Sequence, residues 1–250
     1  MLELQQLSRH FGGVKAVDSL DLTVRQGEIL GLIGPNGSGK STTVNLITGV
    51  YRPTAGTVRF MGRDITTLEP HQRSEIGIAR TFQNIRLFGH LTVWQNLWAA
   101  RVVRERGWAG FRQRWLSGAA AAREEAESLL EFGDLAHKRD MLAGNLAFGE
   151  QRRLELLRAA ASGAPLLLLD EPAAGMNAEE IQDLDQRIRS LRNQGRTILL
   201  IEHHMELVME VCDRVAVLNF GRKIAEGTPG EVQADAQVRA AYLGTESLTA

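Results

Sequence analysis

The chain has 250 residues, 44% of them apolar, with 29 basic and 30 acidic side chains and a net charge of −1. That length allows one large domain or a core carrying a subdomain, and the charge balance excludes the basic excess of a dedicated nucleic-acid binder. A single cysteine, Cys212, excludes an intrachain disulfide and points to a reducing compartment.

The start, MLELQQLSRHFGG, has no basic stretch leading into an apolar core, so no signal peptide is expected. The strongest apolar runs, Leu166–Leu169 and Ile198–Ile201, fall far short of the roughly 20 residues of a spanning helix. A soluble, cytoplasmic protein is expected, one that needs a partner to work at a membrane.

Leu2–Leu7 and Leu20–Arg25 alternate apolar and polar residues and predict half-exposed strands. Glu28–Ile33, EILGLI, predicts a buried strand ending in a glycine-rich turn, with a helix over Ser41–Val50 after it. GTVRFMGRDI predicts a strand pair turning at Gly62. The composition then changes. Thr92 to Ala122 and Ala126 to Leu130 are rich in Ala, Arg and Leu without strand alternation. Thr92 and Gln95 match the S/T-x-x-E/Q box that starts a helix.

From Leu166 strands and helices alternate. LLLLD predicts a buried strand, Ala178–Arg192 a helix, Thr197–Ile201 a strand and Met205–Val211 a helix; short strands follow at Arg214–Leu218 and Lys223–Ala225. Buried strands alternating with helices predict a mainly parallel sheet. The expected class is α/β with a mainly parallel core sheet, an N-terminal antiparallel β part and an inserted helical subdomain; GPNGSGKST, directly after the first buried strand, makes it a P-loop NTPase. The whole chain is expected to be one domain, with residues 1–84 and 162–250 as its core and 85–161 as the insertion.

Gly34, Pro35, Asn36, Gly37, Ser38, Gly39, Lys40, Ser41 and Thr42 spell GPNGSGKST and match G-x-x-x-x-G-K-[ST]. The backbone N–H groups of Asn36 to Ser41 can face phosphate oxygens, and the following helix N-terminus favours an anion. Lys40 would reach the β and γ phosphates, and the Ser41 hydroxyl would ligate Mg²⁺. A flexible glycine turn is the alternative, and the strand-then-helix context speaks against it. Asp170, at the end of LLLLD, stands where an aspartate holds Mg²⁺ directly or through water. Glu171 follows and could polarise water for attack on the γ phosphate. NLAFGEQRR, Asn145–Arg153, reads two ways. It is a helix start with Glu150 in the first turn, where the helix dipole favours an acid, or a second set of free N–H groups for an anion.

GPNGSGKST, RTFQN, LAFGEQRR, LLLLDEP, AAGMN and IEHH, in that order, resemble the ATP-binding cassette ATPases from about residue 2 to 244. FGGVKAVDSLDL, GIARTFQNIRLF, NLAFGEQRRLE, EHHMELVMEVCDRVAVL and AYLG are similar to the ATP-binding subunits of branched-chain amino acid importers. The resemblance implies ATP and Mg²⁺ as ligands and ATP hydrolysis as the activity. It implies a second ATPase subunit, identical or a paired paralogue, set head to tail so that each ATP lies between one P-loop and the other subunit's signature. It further implies transmembrane permease subunits as partners, a periplasmic binding protein acting indirectly, no nucleic acid, and a place on the inner face of the cell membrane.

By the same resemblance Phe11 would stack on adenine, Gln83 would sense Mg²⁺ and the membrane partner, and His203 would contact the γ phosphate. LAFGE stands where the family commonly reads L-S-G-G-Q. Ala147 replaces the serine, Phe148 the first glycine and Glu150 the glutamine, while Gly149 is kept. Backbone donors survive all three changes, so these four residues stay in the expected nucleotide site; the lost hydroxyl removes about 1–3 kcal/mol of hydrogen bonding. Asn177 stands where the D-loop usually has Asp, and His204 where an acid is common.

Leu87, Phe88, Leu91, Val93 and Trp94 follow Gln83 and could form a docking groove for a membrane subunit's helix, or the subdomain's own core. The basic, aromatic stretch Arg101–Trp115 reads as a solvated or partner-facing insertion. The rival readings are an export subunit of the lipopolysaccharide type, a cassette ATPase of DNA repair or translation, and a nucleotide-binding module that does not hydrolyse. The sequence does not name a cargo.

Overall fold

The computed structural model describes residues 1–100 and 118–246. Two sheets share it. The first is antiparallel, in the order β2-β1-β4-β5, from β1 (Leu2–Phe11), β2 (Val14–Val24), β4 (Ala55–Phe60) and β5 (Arg63–Asp64). The second has the order β10-β9-β3-β8-β7-β6. It comprises β3 (Ile29–Ile33), β6 (Ile78–Arg80), β7 (Leu166–Asp170), β8 (Thr197–Ile201), β9 (Arg214–Asn219) and β10 (Arg222–Gly227). Its pairs are parallel except β9–β10.

Strands β3, β7 and β8 are buried at every residue, which is why they read as unbroken apolar runs. Their side chains nevertheless alternate between two cores, as the strand period requires. Leu30, Leu32, Leu166, Leu168 and Leu199 face the first sheet, packed with Leu2, Leu22 and Val58. Ile29, Ile33, Leu167, Leu169, Ile198 and Leu200 face the helices α6 (Ala178–Asn193) and α7 (Met205–Val211) through Leu184, Ile188, Leu207 and Val208. The lone Cys212 belongs to this second core, and burial pushes its thiol up to about 12.

A third cluster, with Val93, Leu97, Leu130, Leu154 and Leu157, joins α3 (Val93–Ala100), α4 (Gly118–Phe132) and α5 (Phe148–Ala161). Thr92 and Gln95 form the predicted box at the start of α3. The Thr92 N–H donates to Gln95 Oε1 at 2.9 Å, and the Gln95 N–H to Thr92 Oγ1 at 3.1 Å. Val93 is fully buried in this cluster and Leu87 and Trp94 pack on it, so these three serve as core, while Phe88 stays exposed. Arg101–Trp115 lies outside the described residues.

The structure departs from the sequence-based elements in places with physical reasons. α1 (Lys40–Ile47) stops three residues before Val50. The fully buried Arg73 takes its last carbonyls, donating from Nη1 to Leu46 O at 2.6 Å and Ile47 O at 2.8 Å. β1 and β2 run further than their alternation predicts, because register shifts between Leu4 and His10 break the period. The short helix α2 (Pro70–Glu75), the three-residue strand β6 and the terminal helices α8 (Pro229–Ala234) and α9 (Ala236–Glu246) lie outside the sequence-based elements. Among the described residues, no helix is long and apolar enough to cross a membrane.

Candidate nucleotide site

The order β3-β8-β7 sets three strand ends side by side. β3 delivers Gly34, β8 delivers Glu202 and His203, and β7 delivers Asp170 and Glu171. Residues Gly34 to Gly39 form the turn from β3 into α1, which opens on Lys40, Ser41 and Thr42, as the motif requires. Its glycines differ in purpose. A Cβ on Gly34 would lie 2.1 Å from Leu218 O, and one on Gly39 2.4 Å from Ala16 O, both at positive φ, so only glycine fits there. Nothing lies within 4 Å of a Cβ at Gly37, where the loop faces open space. Gly39 caps α1 without any side-chain bond, which leaves first-turn N–H groups available to an anion.

Lys40 is buried, and its Nζ donates to Gly34 O at 2.6 Å and Pro35 O at 3.0 Å. Burial pulls its pKa down, opposed by the charges of Glu171 and Asp170. No carboxylate lies within ion-pair distance of it among the described residues. A desolvated ammonium held only by carbonyls, beside uncapped helix N–H groups, fits a phosphate chain. Asn36 and Gly37 on the same turn, and Ser41 at the start of α1, are exposed.

Asp170 is buried, with Oδ2 paired to Arg80 Nη2 at 2.7 Å. Glu171 follows with φ +49, the left-handed region a non-glycine residue enters at a cost. Its Oε2 accepts from Gln83 Nε2 at 2.8 Å and lies 4.0 Å from His203 Nδ1. Gln83, Glu171 and His203 are therefore brought together beside Asp170. Among the described residues, no group of three or more His, Cys, Asp or Glu could cage a metal alone. Hard oxygens from Asp170 and Ser41, completed by phosphate, match the way Mg²⁺ is usually held. Phe11 stands apart at the β1–β2 hairpin, 40% exposed, its ring edge-on to Tyr51 and under the Arg9 guanidinium at 4.6 Å.

Residues 147–150 and Asn177, expected at the nucleotide, sit elsewhere. Ala147 is the N-cap of α5 and has no side-chain acceptor. Phe148 is half exposed and lies against Gly175. A Cβ on Gly149 would lie 2.3 Å from Glu180 Oε1. Asn177 caps α6: the Glu180 N–H donates to Asn177 Oδ1 at 3.0 Å and the Asn177 N–H to Glu180 Oε2 at 2.9 Å. Among the described residues no hydrogen bond joins 147–150 to the P-loop.

The Glu150 carboxylate accepts from Lys138 Nζ at 2.6 Å and the Ala147 N–H at 3.1 Å, so it serves the helix start. The Lys138 hydrogen bond, chiefly, holds its carboxyl below the ordinary glutamate range, opposed by desolvation and helped by the Ala147 N–H and Arg153. A lowered folded-state pKa adds stability above the unfolded value, and that stability is lost as the pH falls through the folded one. Glu150→Gln should therefore cost about 0.5 kcal/mol at neutral pH and progressively less as the pH falls below the ordinary glutamate range. Urea melts at neutral and at acidic pH measure the difference, and an equal cost at both would contradict it.

Sequence reasoning missed several groups here. Arg80 lies inside the quoted RTFQN, yet nothing local announces its pairing with Asp170. Arg152 and Glu155 are buried on α5 three residues apart, a polar pair inside an apolar run. Arg152 donates to Phe82 O at 3.0 Å and Gln83 O at 2.5 Å, while Glu155 accepts the Phe82 N–H at 3.2 Å. Burial pushes the Glu155 carboxyl up despite that bond. Glu202, an acid directly after the buried run Ile198–Ile201, carried a readable signal.

Residues 17–174 match the family described as ABC transporter, and residues 222–247 match the one described as branched-chain amino acid ATP-binding cassette transporter. The chain is 42% identical to the high-affinity branched-chain amino acid transport ATP-binding protein LivG of Salmonella typhimurium, over 98% of each chain. It is 37% identical to the lipopolysaccharide export system ATP-binding protein LptB of Haemophilus influenzae, again over 98% of each. The ADP conformation of MJ1267, an ATP-binding cassette of an ABC transporter, superimposes with a TM-score of 0.85 at 34% identity, covering 98% of both chains. The chain belongs to the ABC transporter family, among its ATP-binding subunits.

Proposed function

We propose that this chain hydrolyses ATP to drive an importer of branched-chain or related amino acids, paired with a second cassette on permease subunits at the inner face of the cell membrane. The observation that carries the hydrolytic reading is the convergence of Lys40, Asp170, Gln83, Glu171 and His203 at adjacent strand ends. The match of residues 222–247 to the branched-chain cassette family supports import over lipopolysaccharide export. A periplasmic binding protein would deliver the amino acid to the permeases and not to this chain. Residues 85–161 would act as the helical subdomain, with the third apolar cluster as its own core.

In this reading Lys40 exchanges its two loop carbonyls for phosphate oxygens. Phe11 takes the adenine, and the N–H groups of Asn36 to Ser41 take the phosphates. Ser41, Asp170 and Gln83 would hold Mg²⁺, which when bound would neutralise phosphate charge. Glu171 accepts the proton of the attacking water through the oxygen that Gln83 leaves free. His203 donates toward the γ phosphate. Ala147 to Glu150 and Asn177 serve the nucleotide of the opposite subunit, through backbone donors in the signature's case. That use across the dimer agrees with their separation from this chain's own P-loop.

The test is reconstitution with the permeases in vesicles. ATP turnover should rise when binding protein loaded with leucine, isoleucine or valine is supplied, and Lys40→Ala should lower ATP affinity about tenfold or more. A response to lipopolysaccharide instead of amino acid would overturn the importer. Unchanged ATP affinity in Lys40→Ala would overturn the site.

A further inference from the structure

Glu202 is the first residue past β8, and it is fully buried. A carboxylate in that position is costly unless its lone pairs are met. No basic side chain is hydrogen-bonded to it among the described residues. Three backbone donors meet it instead. The Ala173 N–H donates to Oε1 at 2.8 Å, and the N–H groups of His203 and His204 donate to Oε2 at 3.0 and 3.3 Å.

These donors come from two different loops. Ala173 lies in the turn after β7, three residues past Asp170. His203 and His204 lie in the turn after β8. The two turns meet at one further backbone bond, from the Glu171 N–H to Ile201 O at 2.8 Å. The Glu202 side chain thus lies between the loop that carries Glu171 and the loop that carries His203, and binds both. The His203 ring has no such anchor. Its side chain is 52% exposed, it stacks on His204 at 4.9 Å, and its Nδ1 is 4.0 Å from Glu171 and 3.8 Å from Glu202. What places that ring is its backbone, and what holds the backbone is Glu202.

We infer that Glu202 is a positioning residue for hydrolysis: a buried carboxylate strut that fixes His203 relative to Glu171 through the backbone of both loops. This rests on the reading that His203 acts at the γ phosphate. The chemistry demands a carboxylate. Two oxygens serve three donors, so an amide in its place would turn an N–H₂ group toward an N–H at one end. A shorter Glu202→Asp side chain keeps both oxygens but cannot reach both loops.

The experiment is steady-state ATP hydrolysis by the purified full chain, wild type and variants, with thermal melts alongside. Glu202→Gln should lower kcat about tenfold or more, as loss of an orienting partner does, with KM for ATP changing less than about threefold. Glu202→Asp should fall between the two, and it carries the test if the amide variant fails to fold. In a His203→Ala background, Glu202→Gln should add less than about a twofold loss, because the strut would then have nothing left to place. A full further loss in that background, or a lowered melting temperature with unchanged kcat, would overturn the proposal. If His203→Ala alone turns over like wild type, the reading of His203 fails and the strut role falls with it; a slow His203→Ala beside a normal Glu202→Gln sinks the strut role only.

Discussion

Glu171→Gln is expected to bind ATP with near wild-type affinity and to turn it over about 100-fold more slowly or worse. The substitution changes one atom and leaves most of the surroundings intact. The side chain keeps its length, so the left-handed backbone at φ +49 is strained to the same degree. An amide oxygen can still accept from Gln83 Nε2, now at 2.8 Å from the carboxylate. What is lost is the group that can take a proton from water. In the proposed reading binding rests on Lys40 and the α1 N–H groups, none of which bonds to Glu171, so affinity and turnover should separate. ATP that is bound and not consumed should keep two copies closed, visible as a dimer on a sizing column with ATP and a monomer without it. Wild-type turnover in the variant would remove Glu171 from the chemistry. Loss of ATP binding together with turnover would show that it acts through loop structure.

How much of this was readable from residues depends on the range of the interactions. Thr197–Ile201 and Met205–Val211 match the structure to the residue, because a buried strand and an amphipathic helix declare themselves within one segment. The P-loop is equally local: strand, glycines, lysine and helix lie within one short stretch. The α1 terminus was not local. It is set by Arg73, whose guanidinium arrives from another helix to take the carbonyls of Leu46 and Ile47. The three-residue β6 has too short a period to read, and it exists because Ile78 to Arg80 pair with Leu166 to Leu168. NLAFGEQRR left a choice between cap and anion site. The structure gives Glu150 a cap and an ion pair within its own chain, so the Glu150 side chain serves the helix start. Asn177, a departure from the usual aspartate, caps α6 with its amide oxygen, a task either residue performs. Arg80 was harder still, since its partner Asp170 comes from β7, whose place beside β6 no local pattern reveals.

Arg80→Ala is expected to destabilise the fold by about 3 kcal/mol or more, the scale of breaking a buried ion pair from one side. The guanidinium sits at the end of β6, where Nη2 meets Asp170 Oδ2 and Nη1 donates to Asn45 Oδ1, both at 2.7 Å. It therefore joins the edge strand, the P-loop helix and the end of β7 at one point. Both side chains of the pair are largely buried, at 13% and 6% exposure, so water cannot take over either charge. Deleting Arg80 leaves Asp170 desolvated without a counter-charge and free to turn its carboxylate. The Mg²⁺ concentration that half-saturates ATP hydrolysis should therefore shift along with stability. Arg80→Lys should recover only part of the loss, because one ammonium cannot fork to both Asn45 and Asp170. The discriminating variant is the double one. Arg80→Met with Asp170→Asn removes both charges and should lose about 2 kcal/mol less in urea melts than the two single variants together. Additive single effects would mean that Arg80 stabilises the protein by packing over Phe82, whose ring centre is 5.0 Å from the guanidinium, and not through Asp170.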